Sequence, residues 1–348
     1  MSILIAILIF GFLIFIHELG HYTTARIFEV KIEEFAIGMG PKLASFTSDK
    51  TNITYSWRLL PFGGFVSMAG EDEESTDENA LNKKPAWQRF IIMIAGSFMN
   101  LLLGVIVIAA MVLSSGNLYG TQVDGFPEGT EISETEGVGG MFDGDVIVKI
   151  GRHKVHTLYD LSYTIMHDAA KPTDVTVIRN GEKVVLEDFR FPTTENEGHT
   201  FGARFFYVGE VTFSFGNVVK QIFYRSLTTV RMIWDSLIDL IVGEYGVKDM
   251  SGPVGVTKII SEAAESSKED GGQTLMYLVS LIAVNLGVFN LIPFPALDGF
   301  RAFLLLIEAV TGLHVSPKTE AYINFAGLAL LMLLMVAVSF FDVSKLFG

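Results

Sequence analysis

The sequence predicts a polytopic α-helical membrane protein with about four transmembrane helices and a polar, β-rich insert in its middle. Three observations carry this prediction. Half of the 348 residues are hydrophobic and only 18% are charged, against about 25% in soluble domains. The mean hydropathy is +0.43. Residues 91–113, 274–297 and 321–341 carry no charge at all, and each run suits the ~20 residues that cross a bilayer. An ordinary soluble enzyme and a disordered chain are both excluded. The net charge of −14 argues against nucleic acid as a partner, because a duplex is itself a dense polyanion. The absence of Cys removes disulfides, thiolate metal sites and a Cys nucleophile together.

The elements follow in order. Residues 1–16 are uncharged and the apolar character resumes after Glu18, which gives a first span of about 25 residues. No Lys or Arg precedes Arg26 and no small-x-small site follows, so this helix is expected to be retained rather than removed as a signal peptide. From Arg26 to Arg89 the chain is mixed and Gly-rich, with IGMGPKL (37–43) and RLLPFGGFVSMAGED (58–72). Asn52–Trp57 alternates like a short strand, and the Gly pairs read as tight turns. The acidic run EDEESTDE (71–78) reads as a solvated loop.

After the second span, residues 117–190 read as a small β-rich domain. GDVIVKI (144–150) and DVTVIRNGEKVVLE (174–187) are strand signals, Asn180-Gly181 is a hairpin turn, and 158–169 fits a short helix. Residues 216–242 put Val219, Ile222, Phe223, Val230, Ile233, Trp234, Leu237 and Leu240 on one side. That is the pattern of an amphipathic helix at a membrane interface, with packing on the soluble domain as the alternative. Spans three and four are joined by a short loop, 298–320. The Arg26–Arg89 loop holds eight Lys and Arg, and the 298–320 loop holds Arg301 and Lys318. The positive-inside rule then assigns these loops to the cytoplasm and both termini and the insert to the outside.

The sharpest chemical signal is His17-Glu18-Leu19-Gly20-His21 on the first apolar helix. Spacing i, i+4 sets two imidazoles on one helical face, where they can bind one zinc ion, with Glu18 beside them as general base toward water. Two interfacial histidines and a snorkelling Glu are the plainer alternative, but ionisable groups within a span are costly and usually functional. A catalytic zinc needs a third protein ligand, and the candidate is Asp298 in NLIPFPALDGF (290–300). Pro293 and Pro295 interrupt helical hydrogen bonding there, which is tolerated at membrane depth only when the backbone is buried in protein or lines a wet cavity. An acidic cap on a kinked helix end is the alternative for Asp298.

HELGH near the first span, NLIPFPALDG in the third and a domain inserted between spans two and three resemble the bacterial site-2 proteases of the RseP/RasP type. IGMGP and PFGGFVSMAGE are similar to that family's membrane-associated β-loop, and SGPVGV (251–256) to its G-P-[VI]-G segment. The resemblance implies an intramembrane zinc metalloprotease in the plasma membrane with its active site toward the cytoplasm. His17, His21 and Asp298 would be the zinc ligands and Glu18 the catalytic base. Asn290 would bind the substrate backbone, with help from Asn285, and Pro293 and Pro295 would belong to the same substrate-binding segment. A strand from residues 52–66 would pair with the extended substrate by β-augmentation.

The insert (117–200) would be one extracytoplasmic PDZ-like α+β domain, on the strength of VGGMFDGDVIVKI (138–150). Residues 201–273 would form an interfacial linker and 274–348 the last two spans. Two departures stand out: the acidic FPEGTEISETEG (126–137) replaces the usual small residues, and Phe300 replaces a second Gly after LDG. Expected partners are the lipid bilayer and single-pass membrane proteins already trimmed by another protease, such as anti-sigma factors or signal-peptide remnants. A catalytically inactive membrane scaffold and a metal-handling protein are the competing classes. Glu18 beside both histidines speaks against the first, and the few polar groups of spans 91–113 and 321–341 against the second.

Overall fold

The computed structural model describes residues 2–71, 75–130, 138–196, 198–267, 269–313 and 315–347. Part of the acidic run (72–74) and most of the acidic departure (131–137) lie outside them. The chain divides into two compact units, Met1–Val107 with Ile233–Gly348, and Ile108–Met232.

The first unit begins with α1 (Ser2–Ile27) and continues through β1 (Ile32–Thr47) and β2 (Thr54–Met68) into α2 (Ala86–Ser114). Among the described residues, four helices are long and apolar enough to cross a membrane: Ile3–Ile27, Ala86–Ser114, Gln273–Asn290 and Lys318–Lys345. The first two meet through small residues. A Cβ on Gly20 would lie 2.4 Å from the Ala95 carbonyl oxygen, so the backbones touch, as membrane helices do where lipid offers no hydrophobic drive.

β1 and β2 form a two-stranded sheet folded on itself. Ile32–Ile37 pair on one side with Gly64–Met68, Glu34–Ile37 pair on the other with Thr54–Trp57, and Ala44–Thr47 pair with Thr54–Trp57 in turn. The chain reverses at 48–53, where Asn52 takes φ +53 and its N–H donates to the Ser48 carbonyl. The Gly pairs are therefore not the tight turns expected. Gly38 and Gly63 take φ +86 and +84 inside the strands, among register shifts, because a left-handed glycine makes a bulge without ending the pairing. Residues 54–57 have partners on both sides, so the free edge is narrower than the 52–66 expected and belongs to Gly64–Met68. Outward from the sheet, Glu34 accepts from Lys42 Nζ and Arg58 Nη2, each at 2.8 Å, and from Ser56. Burial alone would raise its pKa, but these hydrogen bonds hold it down at about 2.

The second unit holds a sheet in the order β10-β3-β4-β6-β7, with β5 beside β4 and a separate β8–β9 hairpin. Its elements are β3 (Leu118–Val123), β4 (Val146–Ile150), β5 (His153–Lys154), α3 (Leu158–Asp168), β6 (Thr173–Arg179), β7 (Glu182–Phe189), β8 (Thr193–Asn196), β9 (His199–Gly202) and β10 (Val208–Val211). Alternating strand residues and α3 pack Ile147, Ile150, Leu161, Ile165, Val175 and Val177 into one core. Thr157 and Asp160 cap α3 reciprocally. The hairpin turn at Asn180-Gly181 has positive φ at both residues, as a two-residue loop requires. The sheet does not close at residue 200 as expected: β10, beyond it, pairs with β3.

α4 (Phe215–Val242) is amphipathic but divides the apolar side read from the sequence. Val218 and Ile233 are buried, whereas Val219, Phe223, Leu227, Trp234 and Ile238 form an exposed apolar stripe. The first unit then resumes with α5 (Pro253–Ser266), α6 (Gln273–Asn290), α7 (Asp298–Thr311) and α8 (Pro317–Phe347). α7 occupies most of what reads as a loop over 298–320. Its charges, Arg301 and Glu308, pair with Glu71 and Arg89, so an amphipathic helix is masked by a loop-like composition.

Candidate active site

One turn of α1 separates His17 from His21, and their Nε2 atoms face each other at 3.2 Å. α6 stops at Asn290, a non-helical segment carries Pro293 and Pro295, and α7 opens on Asp298. Asp298 Oδ2 lies 3.0 Å from His17 Nε2 and 3.2 Å from His21 Nε2. It is buried and yet makes no hydrogen bond. Among the described residues, these three are the group of His and carboxylate side chains whose ligand atoms converge closely enough for a metal ion.

The donor set fits zinc. Tetrahedral zinc with Zn–N and Zn–O distances of about 2.0–2.2 Å sets its ligand atoms about 3.3 Å apart, close to the separations found. Two imidazoles and a carboxylate also leave a fourth position free, as a catalytic site needs. Space is kept clear by Gly96 of α2, where a Cβ would stand 2.3 Å from His21 Nε2 and 2.7 Å from His17 Nε2.

The far side of each imidazole is held as well. His21 Nδ1–H donates to the Ile92 carbonyl at 2.8 Å, which leaves the Nε2 lone pair for a metal. Asn100, buried on α2, sets its amide 3.3 Å from His17 Nδ1, and its Oδ1 is buried without a partner. Turning the amide end for end brings that oxygen to the Nδ1–H and satisfies both groups. Sequence reading missed Gly96 and Asn100, counting Asn100 only as a neutral polar group of the second span. The signal was a small residue and an amide four apart, which share a helix face.

Glu18 is partly buried and lies beside the edge of β2. A Cβ on Gly64 would lie 3.0 Å from Glu18 Cγ, so the strand passes directly against it. The proposed substrate residues are less closely gathered. Asn290 is half-buried at the end of α6, whereas Asn285 is exposed and, five residues away, about 140° around the helix. Pro293 and Pro295 both lie in the segment that leads into Asp298.

Comparison with known proteins agrees with this chemistry. The sequence pattern of peptidase family M50 matches residues 5–334. A putative zinc metalloprotease of Clostridium perfringens is 36% identical over 347 residues, covering 99% of this chain and 98% of the relative. One from Fusobacterium nucleatum is 32% identical with both chains covered in full. The regulator of sigma-W protease RasP of Bacillus subtilis is 27% identical over 99% of each chain. The chain thus belongs to peptidase family M50, the site-2 proteases, and is a multi-pass intramembrane zinc metalloprotease of the plasma membrane.

Proposed function

We propose that His17, His21 and Asp298 hold the catalytic zinc and that Glu18 is the base of peptide hydrolysis within the membrane. The convergence of the three ligand atoms within 3.2 Å of one another carries this reading. Bound zinc supplies Lewis acidity, polarising the scissile carbonyl and making a water easier to deprotonate. Glu18 takes the proton from that water as its oxygen attacks the carbonyl carbon. It then returns the proton to the amide nitrogen as the C–N bond breaks.

A transmembrane substrate hides its carbonyls in i→i−4 hydrogen bonds and must be unwound to react. The free edge of Gly64–Met68 next to Glu18 suits an added substrate strand, with Asn290 binding the extended backbone beside Pro293 and Pro295; Asn285, exposed on another side of α6, takes no part. The exposed apolar residues of β1 and β2, among them Leu43, Phe46, Trp57 and Leu59, suit a membrane-associated β-loop. The insert is read as a single PDZ-like domain outside the cell, both termini lie outside, and the active site opens toward the cytoplasm. The substrates are single-pass membrane proteins already trimmed by another protease, of the anti-sigma-factor or signal-remnant kind.

The deciding variant is Glu18→Gln. Purified in detergent, it should keep its zinc and lose cleavage of a transmembrane substrate by about 10²–10⁴-fold, the usual worth of a positioned base. Cleavage at near the wild-type rate would remove Glu18 from this role.

A further inference from the structure

The segment that presents Asp298 contains an unusual residue. Ala296 takes φ +76, a left-handed conformation that strains any residue with a Cβ. The Leu297 N–H donates to the Phe294 carbonyl at 3.1 Å, which closes a β-turn over Phe294–Leu297. Pro295 has its φ locked near −65°, so positive φ at Ala296 makes this a type II turn. That turn strongly favours Gly at the position Ala296 occupies. A type I turn would suit Pro-Ala without strain, and it differs by a flip of the Pro295–Ala296 peptide.

α8 reads this peptide at both ends. The Ala296 N–H donates to Asn324 Oδ1 at 3.1 Å. One turn along the same face of α8, a Cβ on Gly327 would lie 2.5 Å from the Pro295 carbonyl oxygen. Asn324 thus supplies an acceptor where the type II turn needs one, and Gly327 leaves room for the carbonyl. After a flip to type I, the Ala296 N–H would point away from Asn324. Asn324 is also a polar side chain within a candidate membrane span, where such residues are rare and usually functional. With Ala296, Asp298 and Arg301 it lines a cavity of about 350 Å³.

We propose that Asn324 is a positioning residue of the active site: its amide oxygen selects the strained type II turn at Pro295-Ala296, and that turn aims Asp298 at His17 and His21. This rests on the reading of Asp298 as a zinc ligand. Neither Asn324 nor Gly327 touches the reacting atoms. Their part is to hold a two-residue turn in the less favoured of its two states.

The test measures zinc affinity by chelator competition on the full chain in detergent. Asn324→Leu, which keeps the branching of Asn at Cγ but removes the acceptor, should weaken zinc by about 10–100-fold, as loss of an orienting partner does. Ala296→Gly makes positive φ cost-free, so it should leave the wild type unchanged and restore most of the affinity in the Asn324→Leu background. A defect in helix packing alone would not respond to a change at residue 296. Ala296→Val leaves α8 intact and should reproduce the loss, so the proposal stays open to refutation even where Asn324→Leu does not fold. Asp298→Ala is run beside them. If Asp298→Ala weakens zinc while Asn324→Leu or Ala296→Val does not, or if Ala296→Gly fails to restore it, the positioning role is overturned and the ligand reading stands. Wild-type affinity in Asp298→Ala overturns both.

Discussion

His17 and His21 act through what surrounds them. Each Nε2 is free for a metal because its opposite nitrogen is engaged, by the Ile92 carbonyl and by Asn100, and Gly96 keeps the space between them open. Gly96→Ala would set a methyl against both Nε2 atoms. It should lower zinc affinity by about 100-fold or more, the upper end of what changes around a metal's ligands cost, while the helices still assemble. Zinc titration with a thermal melt of the metal-free protein checks this, and unchanged affinity would show that the metal binds elsewhere. The three proposed ligands are legible in the sequence because HELGH and LDG are contiguous and rich in titratable groups. Gly96 and Asn100 were not, since a glycine and an amide carry no chemistry of their own. Their meaning comes from contact with residues more than 70 positions away.

At the scale of elements, the folded β1–β2 sheet sets its free edge against Glu18 and ties its outer part together through Glu34. The Glu34 carboxyl stands at about 2 in the folded protein, against 4.5 for the ordinary group. A depressed pKa contributes stability that is complete above the unfolded value and is lost as pH falls toward the folded one. Thermal melts of wild type and Glu34→Gln should therefore differ above pH 4.5 and converge as pH approaches about 2. Parallel curves would mean that the three donors do not favour the ionised form. The spans were legible from uncharged runs alone. The Gly-rich segment was not, because a positive-φ glycine serves a bulge as readily as a turn, and only pairing partners distinguish the two. α7 was obscured by its charges, which pair with Glu71 and Arg89 in the fold.

Across the whole molecule, the three converging side chains, His17, His21 and Asp298, all belong to the unit Met1–Val107 with Ile233–Gly348, and none comes from the described residues of Ile108–Met232. We expect the insert to act as a size filter on substrates. Because β10 completes its sheet, a clean deletion replaces residues 117–211 with a short linker. That variant should cleave a trimmed substrate at near the wild-type rate and should also accept an untrimmed one. Loss of both activities in a folded, zinc-loaded variant would make the insert part of the catalytic assembly. The boundary was misread in the sequence because β10 is four residues long, pairs with a strand more than 80 residues earlier and contains a glycine. In the proposed mechanism one zinc is held by His17, His21 and Asp298 inside the membrane. Zinc-edge X-ray absorption on the purified protein tests it most directly. The expected result is one zinc per chain with two imidazole nitrogens and a carboxylate oxygen at about 2.0–2.2 Å, the oxygen being lost in Asp298→Ala and one imidazole in His21→Ala. A coordination sphere unchanged by either substitution, or an active protease that holds no zinc, would contradict it.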